Sequence, residues 1–209
     1  TEYKADVIGT DPKTDLALIK IKGGGAFAHV KFATAEPCVG DWVMAVGNPF
    51  GLGGTVTTGI ISARGRDIGS GPYDDFLQID ASINKGNSGG PAFNLEGDVI
   101  GINTAIFSPS GGSVGIGFAI PASTAVTVVD SLRENGAVTR GWLGVQIQPV
   151  TEDIAESLSL TAAKGAIVAD VTEDSPALAA GLKVRDTIIK VDGEEVADAR
   201  DLARCQAGG

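Results

Sequence analysis

Six residues, Gly86-Asn87-Ser88-Gly89-Gly90-Pro91, hold the strongest chemical signal in this 209-residue chain. A serine between glycines, followed by an apolar strand, can present its hydroxyl on a tight turn. Backbone N–H groups close to such a turn can converge on one point, which is what a developing oxyanion needs. The same string also reads as a Gly-Ser hairpin loop with no chemistry. A serine hydroxyl attacks poorly until a base takes its proton, and an imidazole base needs an anion behind it. Asp15, close to Asp11-Pro12, reads by itself as a solvated turn aspartate. The one histidine, His29, follows Gly23-Gly24-Gly25-Ala26-Phe27-Ala28. That context predicts an exposed loop or strand-edge residue rather than a base.

Composition removes several other chemistries. Sixteen Lys and Arg against 26 Asp and Glu give a formal charge of −10. Nucleic acid and anionic lipid surfaces both call for a basic face, so neither is expected as the main partner. One histidine and two cysteines, Cys38 and Cys205, cannot assemble a tetrahedral zinc site or a disulfide framework. Both cysteines are expected as free, mostly buried thiols. No metal and no cofactor is expected. No apolar run reaches the roughly 18 residues that a membrane helix needs. The one methionine is Met44, so Thr1 is not an initiator, and the chain is expected to be a processed product or fragment.

The elements that must position Ser88 read as β-rich up to about residue 138. The 30 glycines show no three-residue period and fit many turns between short strands. Strands are expected over 4–8, 16–21, 42–46, 55–63, 76–80, 91–94, 99–105 and 115–119, in a barrel or a sandwich. A helix is expected after Pro121, with Ala125, Val128, Val129 and Leu132 on its apolar face and Gly136 closing it. Charge becomes denser beyond 140, and a boundary is expected at 136–140. Asp174-Ser175-Pro176 with Gly181 outlines a short capped helix. A strand over 187–191, a turn at Asp192-Gly193 and a helix over 196–206 follow.

Gly86 to Pro91 resembles the nucleophile loop of chymotrypsin-fold serine proteases. Thr14-Asp15-Leu16-Ala17-Leu18-Ile19-Lys20, Gly47-Asn48-Pro49-Phe50-Gly51, Gln78 through Gly90 and Gly115-Ile116-Gly117-Phe118-Ala119-Ile120-Pro121 resemble the HtrA (Deg/Do-like) family, in the same order. The resemblance implies a mainly β fold: a chymotrypsin-like double β-barrel over 1–138, its first barrel incomplete, followed by a truncated PDZ domain over 139–209. It implies Ser88 as nucleophile, the amides of Gly86 and Ser88 as oxyanion hole, and Asp15 as the residue that orients the base. The base itself would be a histidine upstream of Asp15, but none of the 14 preceding residues is one. The order Asp15, His29, Ser88 matches subtilisin-type enzymes, but the loop context of His29 and the chymotrypsin-type motif at Ser88 argue against it. Asn87 stands where digestive relatives carry an aspartate that pairs with a new N-terminus. Activation would then proceed by loop rearrangement.

By the same resemblance, Ile83, Phe107 and Ile116 line an uncharged specificity pocket, although all three also read as core. Asn87 and the backbone of Thr104, Ala105, Ile106, Phe107 and Ser108 would contact an extended peptide. Ser175-Pro176-Ala177, Ala180-Gly181-Leu182, Asp186, Ile188 and Asp192-Gly193 resemble a PDZ domain. Trp142, Leu143, Gly144 and Val145 would be its carboxylate-binding loop and first strand. Arg185 stands where this family usually carries glycine, so the type of turn there is open. The implied function is endopeptidase degradation of unfolded or misfolded proteins in a periplasmic or envelope location, within a trimer-based homo-oligomer that recognises peptide C-termini. The rival reading is a non-catalytic, chaperone-like peptide binder. An open first barrel and a cut PDZ sheet would leave strand edges unpaired and favour aggregation.

Overall fold

A computed structural model describes residues 2–23 and 25–205. The chain divides into two compact units, Thr1–Val138 and Thr139–Gly209. In the first, β1 (Ala5–Asp11) and β2 (Leu16–Ile21) pair as a two-stranded antiparallel sheet. Then come β3 (Trp42–Gly47), β4 (Thr55–Arg66), β5 (Phe76–Ile79), β6 (Pro91–Phe93), β7 (Val99–Ile106) and β8 (Gly117–Pro121). These six close into a barrel in the order β3-β4-β5-β8-β7-β6, so the choice between barrel and sandwich resolves to a barrel. Its interior is Val43, Ala45, Ile61, Leu77, Ile79, Ala81, Ile83, Ala92, Ile100 and Ala119, all buried. Small alanines among branched residues suit the narrow inside of a six-stranded closure.

Helix α1 (Ala122–Asn135) starts directly from Pro121 and buries Ala122, Ala125, Val128 and Leu132. Gly136 closes it in the left-handed conformation, its amide donating to the Leu132 carbonyl at 2.9 Å. Strand β1 passes close to this end. A Cβ on Gly9 would lie 2.5 Å from the Gly136 carbonyl oxygen. The β1–β2 hairpin leaves Val7, Ile8, Ile19 and Ile21 exposed. Among the described residues no helix is long and apolar enough to cross a membrane.

The second unit contains β9 (Val145–Pro149), α2 (Glu152–Ser157), β10 (Ala166–Val171), α3 (Pro176–Ala179), β11 (Thr187–Ile188), β12 (Lys190–Val191), β13 (Glu194–Glu195) and α4 (Ala199–Cys205). Its three-stranded sheet has the order β11-β10-β9. Ala166, Val196 and Leu202 form the core, with Ile147, Ile188 and Val191 packed against them. The capped short helix is α3, where the Ser175 hydroxyl accepts from the Leu178 amide at 3.1 Å. The expected 187–191 strand is two short strands interrupted at Ile189. The expected helix over 196–206 begins at Ala199, and its Gln206 end lies outside the described residues.

Two expectations need correction or completion. Cys38 is exposed, not buried. Its amide donates to the Asp41 carboxylate at 2.7 Å in a surface turn, so turn-forming neighbours outweigh the thiol's preference for the interior. The side chain of Cys205 lies outside the described residues. Arg185 adopts a φ of 78°, so the turn keeps its left-handed conformation with an arginine in it. The Arg185 amide donates to the Val168 carbonyl at 2.8 Å, which holds the turn in place.

A left-handed arginine carries strain of about 1–2 kcal/mol, offset in part by the freedom glycine gives the unfolded chain. Arg185→Gly is therefore expected to stabilise the second unit by about 0.5–1 kcal/mol in urea titration. Asp198 caps α4, its Oδ1 accepting from the amides of Arg200 at 2.9 Å and Asp201 at 2.8 Å. Partial burial alone would raise its carboxyl, but the Asp201 amide and Arg200 outweigh it and hold the group below the usual aspartate range. Its contribution is thus present above the unfolded aspartate value and lost as pH falls through the lowered one. Asp198→Ala should cost about 1 kcal/mol near neutral pH and less in acid, read by unfolding at the two pH values.

Candidate active site

Ser88 lies on the loop between β5 and β6, exposed, and the loop reaches its shape through glycine. Gly86 has a φ of 106°, and a Cβ there would run into the Asn48 carbonyl oxygen. A Cβ on Gly90 would run into the Val46 carbonyl oxygen. The segment after β3 grips the loop in return. The Asn48 amide donates to the Gly86 carbonyl at 3.2 Å and the Phe50 amide to the Lys85 carbonyl at 2.8 Å. Asn48 fixes its own segment, with Oδ1 accepting from the Gly53 amide at 2.7 Å. The amides of Gly86 and Ser88 donate to nothing among the described residues. Two unpaired donors on an exposed glycine loop are what an incoming oxyanion requires.

The Ser88 hydroxyl donates to the Thr104 carbonyl oxygen at 2.8 Å. The Thr104 hydroxyl donates to Asp15 Oδ2 at 2.8 Å, across 89 residues of sequence. Asp15 occupies a left-handed position, φ 58°, at the end of the β1–β2 turn. That turn is tied by the Thr14 hydroxyl donating to Asp11 Oδ2 at 2.6 Å. The structure thus brings Asp15 and Ser88 to opposite ends of one threonine. His29 sits on an exposed loop, with Nδ1 at 3.3 Å from the Phe27 carbonyl oxygen. Among the described residues no group of three or more His, Cys, Asp or Glu could hold a metal.

Strand β6 pairs with β7 only as far as Ile102, and Asn103 is taken by the loop residues Gly89 and Gly90. From Thr104 through Ile106 the β6-facing edge of β7 has no strand partner among the described residues. An extended chain could pair there, beside the serine. Phe107 ends this edge 60 % exposed, and its amide donates to the Ile116 carbonyl at 3.0 Å. The next turn is fixed by Ser108, whose hydroxyl donates to the Gly112 carbonyl at 2.6 Å. Ile116 is half-buried, and Ile106 packs against the barrel core. Ile83 is 1 % exposed and sits where a side chain on Gly117 would be, 2.8 Å from that missing Cβ. It is barrel core that also faces the Gly117 backbone. Asn87 is 2 % exposed, and its Oδ1 has no hydrogen-bond partner.

In the second unit, β9 has one neighbour in its sheet among the described residues, β10, which leaves its other edge open there. Gly144 has a φ of 78°, and a Cβ there would run into the Ser175 side chain. The carbonyls of Leu143 and Gly144 accept from the Ala177 and Thr172 amides at 2.9 and 2.8 Å. The amides of Leu143 and Gly144 donate to nothing among the described residues. Trp142 is 62 % exposed beside them, and Val145 opens β9. A concavity bounded by Leu143, Ile188, Val191 and Leu202 lies in the same unit.

Two residues in this geometry carry no sequence motif of their own. The Thr104 hydroxyl acts as a bridge, and Asn103 is fully buried behind the serine loop. The one available signal is a polar pair inside an otherwise apolar strand.

The trypsin-like peptidase domain model matches residues 1–102, and a PDZ domain model matches residues 141–206. A probable periplasmic serine endoprotease, DegP-like, from Brucella suis biovar 1 is 67 % identical over 206 residues, covering 98 % of this chain and 40 % of its own length. The protein of the same description from Rhizobium meliloti is 65 % identical over 205 residues, covering 98 % of this chain and 41 % of its own. Among solved structures, the HtrA-type protease AlgW with a tripeptide superposes with a TM-score of 0.87 at 48 % identity. That match covers 97 % of this chain and 68 % of the other. The chain spans about 40 % of the length of these curated relatives. With both family models in order and nearly the whole of this chain matched to an HtrA-type protease, this chain belongs to the HtrA family of serine proteases.

Proposed function

We propose that this chain carries the nucleophile, oxyanion hole and peptide-binding module of a periplasmic or envelope serine endopeptidase that degrades unfolded and misfolded proteins. The observation that carries the reading is the Ser88–Thr104–Asp15 arrangement beside two unpaired loop amides. Ser88 Oγ attacks the scissile carbonyl, and the Gly86 and Ser88 amides receive the oxyanion. Asp15 orients an imidazole and stabilises its charge. That imidazole comes from a histidine outside these 209 residues, since His29 lies on a separate exposed loop. On its arrival the Ser88 hydroxyl leaves the Thr104 carbonyl and donates to it.

The substrate lies along the free edge from Thr104 to Ser108, with Asn87 buried beneath the turn. Ile83 forms the floor of the primary pocket, and Ile116 and Phe107 its wall and rim. These apolar, uncharged surfaces favour small or medium apolar side chains at the cut. Peptide C-termini add a strand to β9, their carboxylate received at Trp142, Leu143, Gly144 and Val145. Relatives described as periplasmic endoproteases, and HtrA-type structures with a decapeptide or a tripeptide, support this reading. No cofactor takes part. The full-length protein works as a homo-oligomer.

In the full-length protein, Ser88→Ala is expected to lower kcat on an unfolded substrate by at least about a thousandfold. A fluorophosphonate should label the unmodified protein at Ser88, as peptide mapping by mass spectrometry would show. Thr104→Val, which unties Asp15, should lower kcat by about tenfold. Peptidase activity that survives Ser88→Ala, or labelling elsewhere, would remove the proposal and leave a peptide-binding protein. For the second unit, a peptide with a free C-terminal carboxylate should bind at least about tenfold tighter than its amide in calorimetry. Equal affinities would rule out carboxylate capture.

A further inference from the structure

We propose that Asn103 is a positioning residue that sets the register of the Ser88 loop through three bonds to the three residues after the serine. The proposal rests on the reading of Ser88 as nucleophile. Asn103 is 0 % exposed, deep in the wall of the barrel. Its carbonyl accepts from the Gly89 amide at 2.8 Å, and its amide donates to the Gly90 carbonyl at 2.9 Å. Its side-chain Nδ2 donates to the Pro91 carbonyl at 3.3 Å. That last bond is long, so it aims the Pro91 peptide more than it holds it. The next residue, Thr104, meets both the Ser88 hydroxyl and Asp15. Two adjacent residues of β7 therefore fix the serine from both sides.

The side chain looks costly for stability alone. Its Oδ1 is buried with no partner, and an unpaired buried acceptor is unfavourable. A leucine has nearly the same shape and would lose no hydrogen bond at that oxygen. What leucine cannot supply is the N–H directed at Pro91. Pro91 faces Ile102 across β6 and β7 and is the residue at which the serine loop enters a strand. A loop released at that point can drift, and small misplacements of a nucleophile cost rate rather than binding.

The test compares Asn103→Leu and Asn103→Ala in the full-length protein. Both lack the N–H, but only the alanine also leaves a cavity. If the bond positions the loop, kcat and the rate of fluorophosphonate labelling at Ser88 fall about tenfold in both, with KM within about twofold. Thermal stability should fall further in the alanine than in the leucine variant. A kcat that follows stability instead, near normal in leucine and low in alanine, would overturn the proposal, as would no change in either. Should neither variant fold, hydrogen exchange on the unmodified protein decides. The Gly89 and Asn103 amides should exchange slowly and together, and a Gly89 amide as fast as in an unstructured peptide would sink the idea. Failure of the unmodified protein to label at Ser88 would count against the nucleophile reading itself, with the exchange measurement still testing the clamp.

Discussion

One threonine holds the candidate site together. Thr104 accepts from the serine through its backbone and donates to the aspartate through its hydroxyl, so a rigid barrel strand sets the spacing of two groups 73 residues apart in sequence. Each partner arrives on an element that could not place it unaided. Asp15 ends a two-stranded hairpin, and Ser88 sits on an exposed turn. The closed barrel supplies what neither has, six strands paired in a ring, with β7 free toward β6 from Thr104 to Ile106 among the described residues.

That dependence explains what the sequence could and could not reveal. Gly86, Gly90 and Ser88 stand out because the chemistry of a sharp turn needs glycine, and glycine is visible in one dimension. The Thr104 bridge and the Asn103 clamp are invisible there. Nothing local marks a threonine whose partner is 89 residues away, or an asparagine whose three bonds go to a returning loop. The strands of the barrel follow from alternation and turn residues. Strand β10 escapes that test, since Ala166-Ile167-Val168-Ala169-Asp170-Val171 bears an aspartate near its end and is bent by a bulge between Val168 and Asp170. Helix α2 is too short to show a period, and only its Thr151 cap hints at it.

Composition misleads in a different way. The preference of cysteine for interiors is an average over many sites, and Cys38 is placed by Asp41 and a turn instead. Arg185 shows the converse. A backbone conformation set by long-range pairing with Val168 survives an unfavourable side chain, because the surrounding sheet over-determines it.

The close packing of backbone on backbone around Ser88 has an evolutionary consequence. Gly86 and Gly90 each face another main chain, and Gly47 faces the buried Asn87, with no room for even a methyl group. Any side chain at these positions would therefore have to displace a neighbour, whatever its size. Side chains with free space around them, such as Phe107 at the end of β7 and Trp142 in the second unit, can change without moving a main chain.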